Sequence, residues 1–438
     1  MHITLISPKG PLYRHRGGIF KRSLRYAPLT LTTLAALVPP DLQATVAIVD
    51  EGIEEVEPQP TTDLIGMTVI TGTAPRAYEL AAQYRALGYP VVLGGPHVTL
   101  MPDEAQQHAD AIVTGYAEQT WPQLLNDFTV GQMKSRYDQN GDFSLSNQPF
   151  PQRSLLRRFN YSTIHTFEAT RACIHRCDFC VVPSAWGTQP YQKPVEEIVA
   201  DIRQLGSKRL IFLDLNLIAD THYAAALFEA LIPLKVKWFG LATILLAYNE
   251  KLLALAARSG CRGLLVGFES LSKSNLRSSQ KGFNDPDCFQ EAIDRFHQHG
   301  ISLMGCFVFG MDHDTPEIFE QTARFVVEAG IDLPRFAIMT PFPGTPLFDR
   351  LQSENRILTE DWSLYDGQHV VFQPAGMSTR QLYEGTEQAW RYAYSLPSMW
   401  KRIAKFEREP LIALATNFGY RFYAHHLKQF YSCDNQFA

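Results

Sequence analysis

The sequence has no run of about eighteen apolar residues, so no membrane-spanning helix is expected. It also has no basic stripe. Its 40 Lys and Arg stand against 45 Asp and Glu, for a net charge of −5. That balance gives nothing to neutralise a phosphate backbone, and it excludes nucleic acid as a partner. The opening Met-His-Ile-Thr-Leu-Ile-Ser-Pro lacks a charged segment ahead of a long apolar one, so no export signal is expected. Cysteine is scarce, at 7 residues. An odd number without an export signal predicts reduced thiols and a cytoplasmic location. No internal repeat or low-complexity tract is present. The 438 residues suffice for two or three domains with sizeable cores.

Three of the few cysteines stand together, in Arg171-Ala172-Cys173-Ile174-His175-Arg176-Cys177-Asp178-Phe179-Cys180. Three thiolates on one short loop can each hold one iron of a cubane iron–sulfur cluster. No fourth cysteine lies nearby, which leaves one iron open to bind a small molecule. Such a cluster is a reaction centre rather than an electron wire. The alternative is structural zinc, which takes four tetrahedral ligands, usually as paired knuckles. No second C-x2-C pair exists here, and His165 and His175 are the only nearby nitrogen donors.

Short apolar runs alternate with helical patterns through most of the chain. Strands are expected over 3–6, 46–49, 64–69, 91–93 and 111–113, with helices over 26–37, 74–87 and 121–128. That alternation predicts a parallel sheet covered on both faces. Small turns follow its strands: Thr71-Gly72-Thr73, Gly94-Gly95-Pro96-His97 and Gly115-Tyr116-Ala117-Glu118. Open parallel sheets bind ligands beyond the carboxyl ends of their strands, although such turns also serve packing alone. A polar stretch over 134–159 reads as a linker. Six further strand–helix units, with strands over 162–168, 209–214, 237–243, 263–268, 303–309 and 335–339, suit a partial β/α barrel with its chemistry at the carboxyl strand ends. The cysteine loop follows the first of them.

The cysteine segment resembles the signature of radical S-adenosylmethionine (SAM) enzymes. Segments 66–76, 94–97 and 115–118, with 212–216, Gly267-Phe268-Glu269-Ser270, Phe309-Gly310, 340–346 and 361–372, resemble the subgroup that carries a cobalamin-binding domain. Within it the similarity is to the branch holding hopanoid methylases, and more distantly to the anaerobic magnesium-protoporphyrin ester cyclases. The resemblance implies an α/β protein: a Rossmann-like cobalamin domain over 1–133, the linker, a partial (β/α)6 radical SAM barrel over 160–344 and a mostly helical region over 345–438. It implies a 4Fe–4S cluster on Cys173, Cys177 and Cys180, with SAM on the open iron and Phe179 near the adenine. Two departures stand out. Ala172 and Ile174 replace the family's usual Gly and Pro. The loop Tyr13-Arg14-His15-Arg16-Gly17-Gly18 has Tyr where histidine-ligated cobalamin proteins have Asp, so cobalt is expected to carry no histidine from this chain.

The expected activity is methylation of an unactivated carbon, with one SAM supplying methyl through cobalt and a second giving the radical. A cyclising or oxidising radical enzyme is the alternative, and a redox sensor or cofactor carrier is another. An external electron donor such as flavodoxin or ferredoxin is implied, and the substrate is a small or lipid-like molecule. Glu269 ends an apolar strand. A carboxylate there contacts SAM or pairs with Arg262 or Arg171. Asp214 and Asn216 face SAM or substrate, Thr243 bonds SAM or packs, and His97 lines the cobalamin edge or caps a turn. Thr71, Gly72, Thr73, Gly94, Gly95, Pro96, Gly115 and Glu118 are the remaining candidates for cobalamin.

Overall fold

The computed structural model describes residues 1–10, 26–139, 143–404 and 410–427. His15 and its loop lie outside them, as does Cys433.

The first sheet has six parallel strands: β1 (His2–Ser7), β2 (Thr45–Asp50), β3 (Leu64–Thr68), β4 (Val91–Gly94), β5 (Ala111–Thr114) and β6 (Arg136–Asp138), in the order β2-β1-β3-β4-β5-β6. Helices on both faces bury the middle strands completely, which is why Leu64, Ile65, Val91, Leu93 and Ile112 form near-continuous apolar runs. Two expectations change. The helix expected from residue 26 begins at Thr30, and Tyr26 instead bridges the backbone of Thr163. β6 falls inside the expected linker. Its Arg-Tyr-Asp carries no apolar run, but Tyr137 is buried and Ile112 to Thr114 supply a paired edge.

The second sheet is β7 (Thr166–Phe167), β10 (Arg209–Phe212), β11 (Lys237–Ala242), β12 (Cys261–Glu269), β13 (Ser302–Phe309) and β14 (Leu333–Ile338), all parallel and in that spatial order. A small antiparallel pair, β8 (Thr170–Arg171) with β9 (Tyr191–Gln192), stands beside it. The first barrel strand is shorter than expected, with two residues paired to β10. Along β13, Leu303, Phe307 and Phe309 are buried against the outer helices, while Met304, Cys306 and Val308 alternate on the half-buried inner face. Stacked rings of Phe228 with Trp238 and Phe268 with Phe307 fill the outer core.

After the barrel the chain splits its loyalties. Trp362 and Tyr365 return to the first sheet's core, and the Trp362 indole donates to Glu104 at 3.1 Å. The side chains of Asp366 and His369 are shielded from solvent and bonded to each other at 3.0 Å. The helix Thr379–Ala393 packs on β14, where the Trp390 indole donates to the Phe336 carbonyl at 3.1 Å. Among the described residues no helix is long and apolar enough to cross a membrane.

Candidate cofactor site

The cysteine loop is clamped where it leaves the barrel. Asp214, fully buried just past β10, accepts from the Ala169 amide at 3.1 Å and the Thr170 hydroxyl at 2.9 Å. Burial, with Glu168 nearby, pushes its carboxyl up to about 7. Both oxygens are thus occupied in holding β7 to β8. Ala172 then turns the chain with φ of 65°, a left-handed geometry that costs an alanine about 1 kcal/mol and that glycine adopts freely.

The Asn216 amide donates to the Cys173 sulfur at 3.6 Å, and the Cys180 amide donates to the Cys177 carbonyl at 3.1 Å. Phe179 packs, half-buried, against the barrel core. The other side of the loop is covered by the segment after the helix Lys273–Ser278. There the Asp178 amide donates to the Ser279 carbonyl at 3.3 Å, and the rings of His175 and Phe283 stack at 4.0 Å. Burial pushes the Cys177 thiol up to about 12, so a bound cation is needed to hold it ionised near neutrality. Among the described residues no three His, Cys, Asp or Glu side chains converge on one point as a mononuclear metal requires. Tetrahedral zinc takes four ligands, usually from two paired knuckles, and this loop offers three thiols. Three thiols on one loop match a cluster whose irons each take one of them.

Glu269 closes β12 with φ of 66°. Its partner is neither Arg262, which donates to the Cys261 carbonyl, nor Arg171. It is Lys281, from the covering segment. Burial pulls the Lys281 ammonium toward deprotonation, and Glu269, Cys177 and Cys180 more than reverse this. Among the described residues, Asn216 Oδ1 and Thr243 Oγ1 are buried with no hydrogen-bond partner. Unsatisfied buried acceptors cost about 1–3 kcal/mol each, and a polar ligand such as SAM removes that cost. Glu269→Ala is expected to lower stability by about 3–5 kcal/mol, because it strands a buried ammonium. Adding Lys281→Met should restore the melting temperature while deoxyadenosine formation stays at least about tenfold down. Native SAM cleavage in the double variant would make the pair purely structural.

A second cavity, of about 380 Å³, lies between the two sheets. Gly94, Gly95, Pro96, Gly115 and Glu118 line it, with Met67, Thr33 and Trp121. Gly66 keeps it open: a Cβ there would stand 2.9 Å from Leu5. Gly95 has φ of 109°, and a Cβ would press on the Val69 carbonyl at 2.8 Å. Among the described residues, the Tyr116 hydroxyl, on the cavity wall, is buried without a hydrogen-bond partner. An apolar cavity with glycine-opened walls and an orphan hydroxyl fits a large cofactor with an amide periphery, as cobalamin is.

Thr71, Gly72, Thr73 and His97 are not brought to that cavity. Thr73 bonds back to Ile70, and the His97 ring is fully buried between Thr71, Glu104 and Trp362. Arg171 joins the two sites. Its guanidinium holds Glu118 at 2.6 Å and Glu168 at 2.7 Å and lies over the Tyr116 ring at 5.0 Å. Sequence reasoning missed Arg171 and Lys281 as site residues. The signal for Arg171 was its place two residues before Cys173. Lys281 had no comparable signal.

Comparisons with known proteins agree with this geometry. Residues 167–326 match the radical SAM superfamily, and residues 30–125 match the B12 binding domain. The bacteriochlorophyllide d C-12(1)-methyltransferase of Chlorobaculum tepidum is 30% identical over 86% of this chain and 84% of that protein. The hopanoid C-2 methylase of Rhodopseudomonas palustris is 26% identical over 62% of this chain and 54% of its own. The structure of the cobalamin-dependent SAM radical enzyme OxsB covers 99% of this chain and 76% of its own, at TM-score 0.70 and 15% identity, which shows a shared fold. This protein belongs to the radical SAM methyltransferases that carry a B12-binding domain, whose cofactors are a 4Fe–4S cluster, SAM and cobalamin.

Proposed function

We propose that the chain methylates an unactivated carbon of a small molecule, with Cys173, Cys177 and Cys180 holding the cluster. When bound, cluster and SAM supply one-electron hydrogen abstraction, and cobalamin supplies methyl carriage. The observation that carries this reading is the shared wall. Glu168, Arg171 and Ala172 line the first-domain cavity and lead straight into Cys173, so the two cofactors are neighbours.

The chain's own residues position and exclude water. Asn216 orients the Cys173 sulfur, and its free oxygen with Thr243 and Glu269 offers acceptors to SAM. Lys281 balances thiolate charge. Leu29, Leu34, Leu37 and Trp121 keep the cavity apolar. An external donor such as flavodoxin or ferredoxin supplies electrons. Turnover should release both deoxyadenosine and S-adenosylhomocysteine, in similar amounts. Deoxyadenosine alone would indicate a cyclising or oxidising enzyme, and neither product would indicate a sensor.

A further inference from the structure

The helix Pro410–His425 carries apolar residues on two faces. Its inner face is already packed. Ala424 and the following Leu427 are buried. The rings of Tyr420 and Tyr423 lie 6.3 and 5.2 Å from that of Trp390, and the buried Asn417 amide donates to the Ala413 carbonyl at 3.0 Å. A surface helix that has buried one stripe is ordinarily polar on the other side. Here Leu411, Ala415, Phe418 and Phe422 are all exposed, at the i, i+4, i+7 and i+11 spacing that puts them in one row. Leu411 is 81% exposed and Phe418 46%. The helix Leu396–Ile403, against which this one packs, adds Leu396 and the 54%-exposed Trp400, one turn apart. Single exposed apolar residues are ordinary, but an ordered row continued on a second helix marks an interaction surface.

Charge identifies the partner. Residues 391–428 hold seven Lys and Arg against two Asp and Glu, in a chain whose net charge is −5. Arg402 is spent inside, on the carbonyls of Asp332 and Ala393. Lys401 stands exposed beside Trp400. No Asp or Glu occurs over 410–433. The two on the helix Thr379–Ala393, Glu384 and Glu387, are paired with Arg380 and Arg391. A second copy of this chain would set one basic face against another. An anionic bilayer offers acyl chains to the apolar row and phosphates to the cations. The helix has 16 residues, a length of about 24 Å against about 30 Å of hydrocarbon, so it lies in such a surface and does not cross it.

We propose that the helices Leu396–Ile403 and Pro410–His425 dock the enzyme on an anionic membrane surface. Trp400, Leu411, Phe418 and Phe422 enter the acyl boundary, and Lys401 stays among the headgroups. The docking helix packs on Thr379–Ala393, which packs on β14, so the barrel side of the enzyme meets the bilayer. This docking does not depend on which carbon is methylated.

The test floats the full, anaerobically reconstituted chain with vesicles of equal parts phosphatidylcholine and phosphatidylglycerol, and with vesicles of phosphatidylcholine alone. The anionic vesicles should carry at least about tenfold more protein, and added salt should reduce the difference. Phe418→Ser together with Phe422→Ser should lower binding to the anionic vesicles at least about tenfold. Both positions are exposed, so the melting temperature, iron content and deoxyadenosine formation should stay at the parent's values. Lys401→Glu should weaken the binding and flatten its salt dependence. Protein that stays with neither vesicle, that floats equally with both, or that keeps its binding in the double variant would overturn the proposal. A dimer in light scattering that the double variant dissociates would also overturn it, by giving the apolar row to a second copy of the chain.

Discussion

Cys177→Ala is expected to yield a folded chain that retains less than about one iron, where the parent takes up about four, and that forms no deoxyadenosine. Cys177 is 8% exposed, and removing one sulfur from a loop costs the fold about 1 kcal/mol at most. The loop's position does not depend on the thiol. Asp214 grips its entry, and Ser279 and Phe283 cover its middle. Lost iron in this variant therefore reports a lost ligand rather than a lost fold. The control is Cys261→Ala. That cysteine is fully buried in the barrel core, so its loss should lower the melting temperature and leave iron loading unchanged. Iron and sulfide analysis after anaerobic reconstitution, with the cluster's absorbance, decides the matter. Full loading of the Cys177 variant would remove these cysteines from the cluster.

The features legible in the sequence were those written in adjacent residues. Parallel strands covered on both faces must be apolar runs, and the cysteine spacing is local. Contacts that the fold assembles from distant segments were not legible. Glu269 was recognisable as a carboxylate in need of a partner. That partner, Lys281, arrives on the loop after the following helix, and no periodicity marks it. Arg171 meets Glu118 across the two sheets. His97 sits beside two strand ends yet turns into a core completed by Trp362, which lies far along the chain. Asp214 stands at a barrel-strand end where ligands bind, but its oxygens are spent on the backbone of Ala169 and on Thr170. Ala172 shows the same limit in one residue: its φ of 65° is set by the clamp before it and the cysteines after it.

Filling the first-domain cavity should separate the two chemistries. Thr33 lies half-buried on the helix Thr30–Ala36 and lines the cavity, opposite Gly66 and Trp121. Thr33→Trp adds an indole to a space of about 380 Å³, enough to block a large cofactor. The helix itself tolerates the change, because its core contacts are made by Leu31, Thr32 and Ala35. The barrel is untouched. None of Asn216, Thr243, Glu269 and Lys281 lines this cavity. Cobalamin retention should fall at least about tenfold, which corresponds to about 1.4 kcal/mol or more. Methylated product and S-adenosylhomocysteine should vanish with it. Iron content and deoxyadenosine formation should stay within about twofold of the parent, since SAM cleavage depends on residues the indole does not reach. Cobalamin stoichiometry by absorbance, beside product counts from the same preparation, gives the answer. A Thr33→Trp chain that still holds cobalamin and methylates would place the cofactor elsewhere, and the shared wall at Arg171 would lose its meaning. Loss of deoxyadenosine together with methylation would mean that cobalamin is needed to complete the SAM site, with the Glu118–Arg171 contact as the link between them.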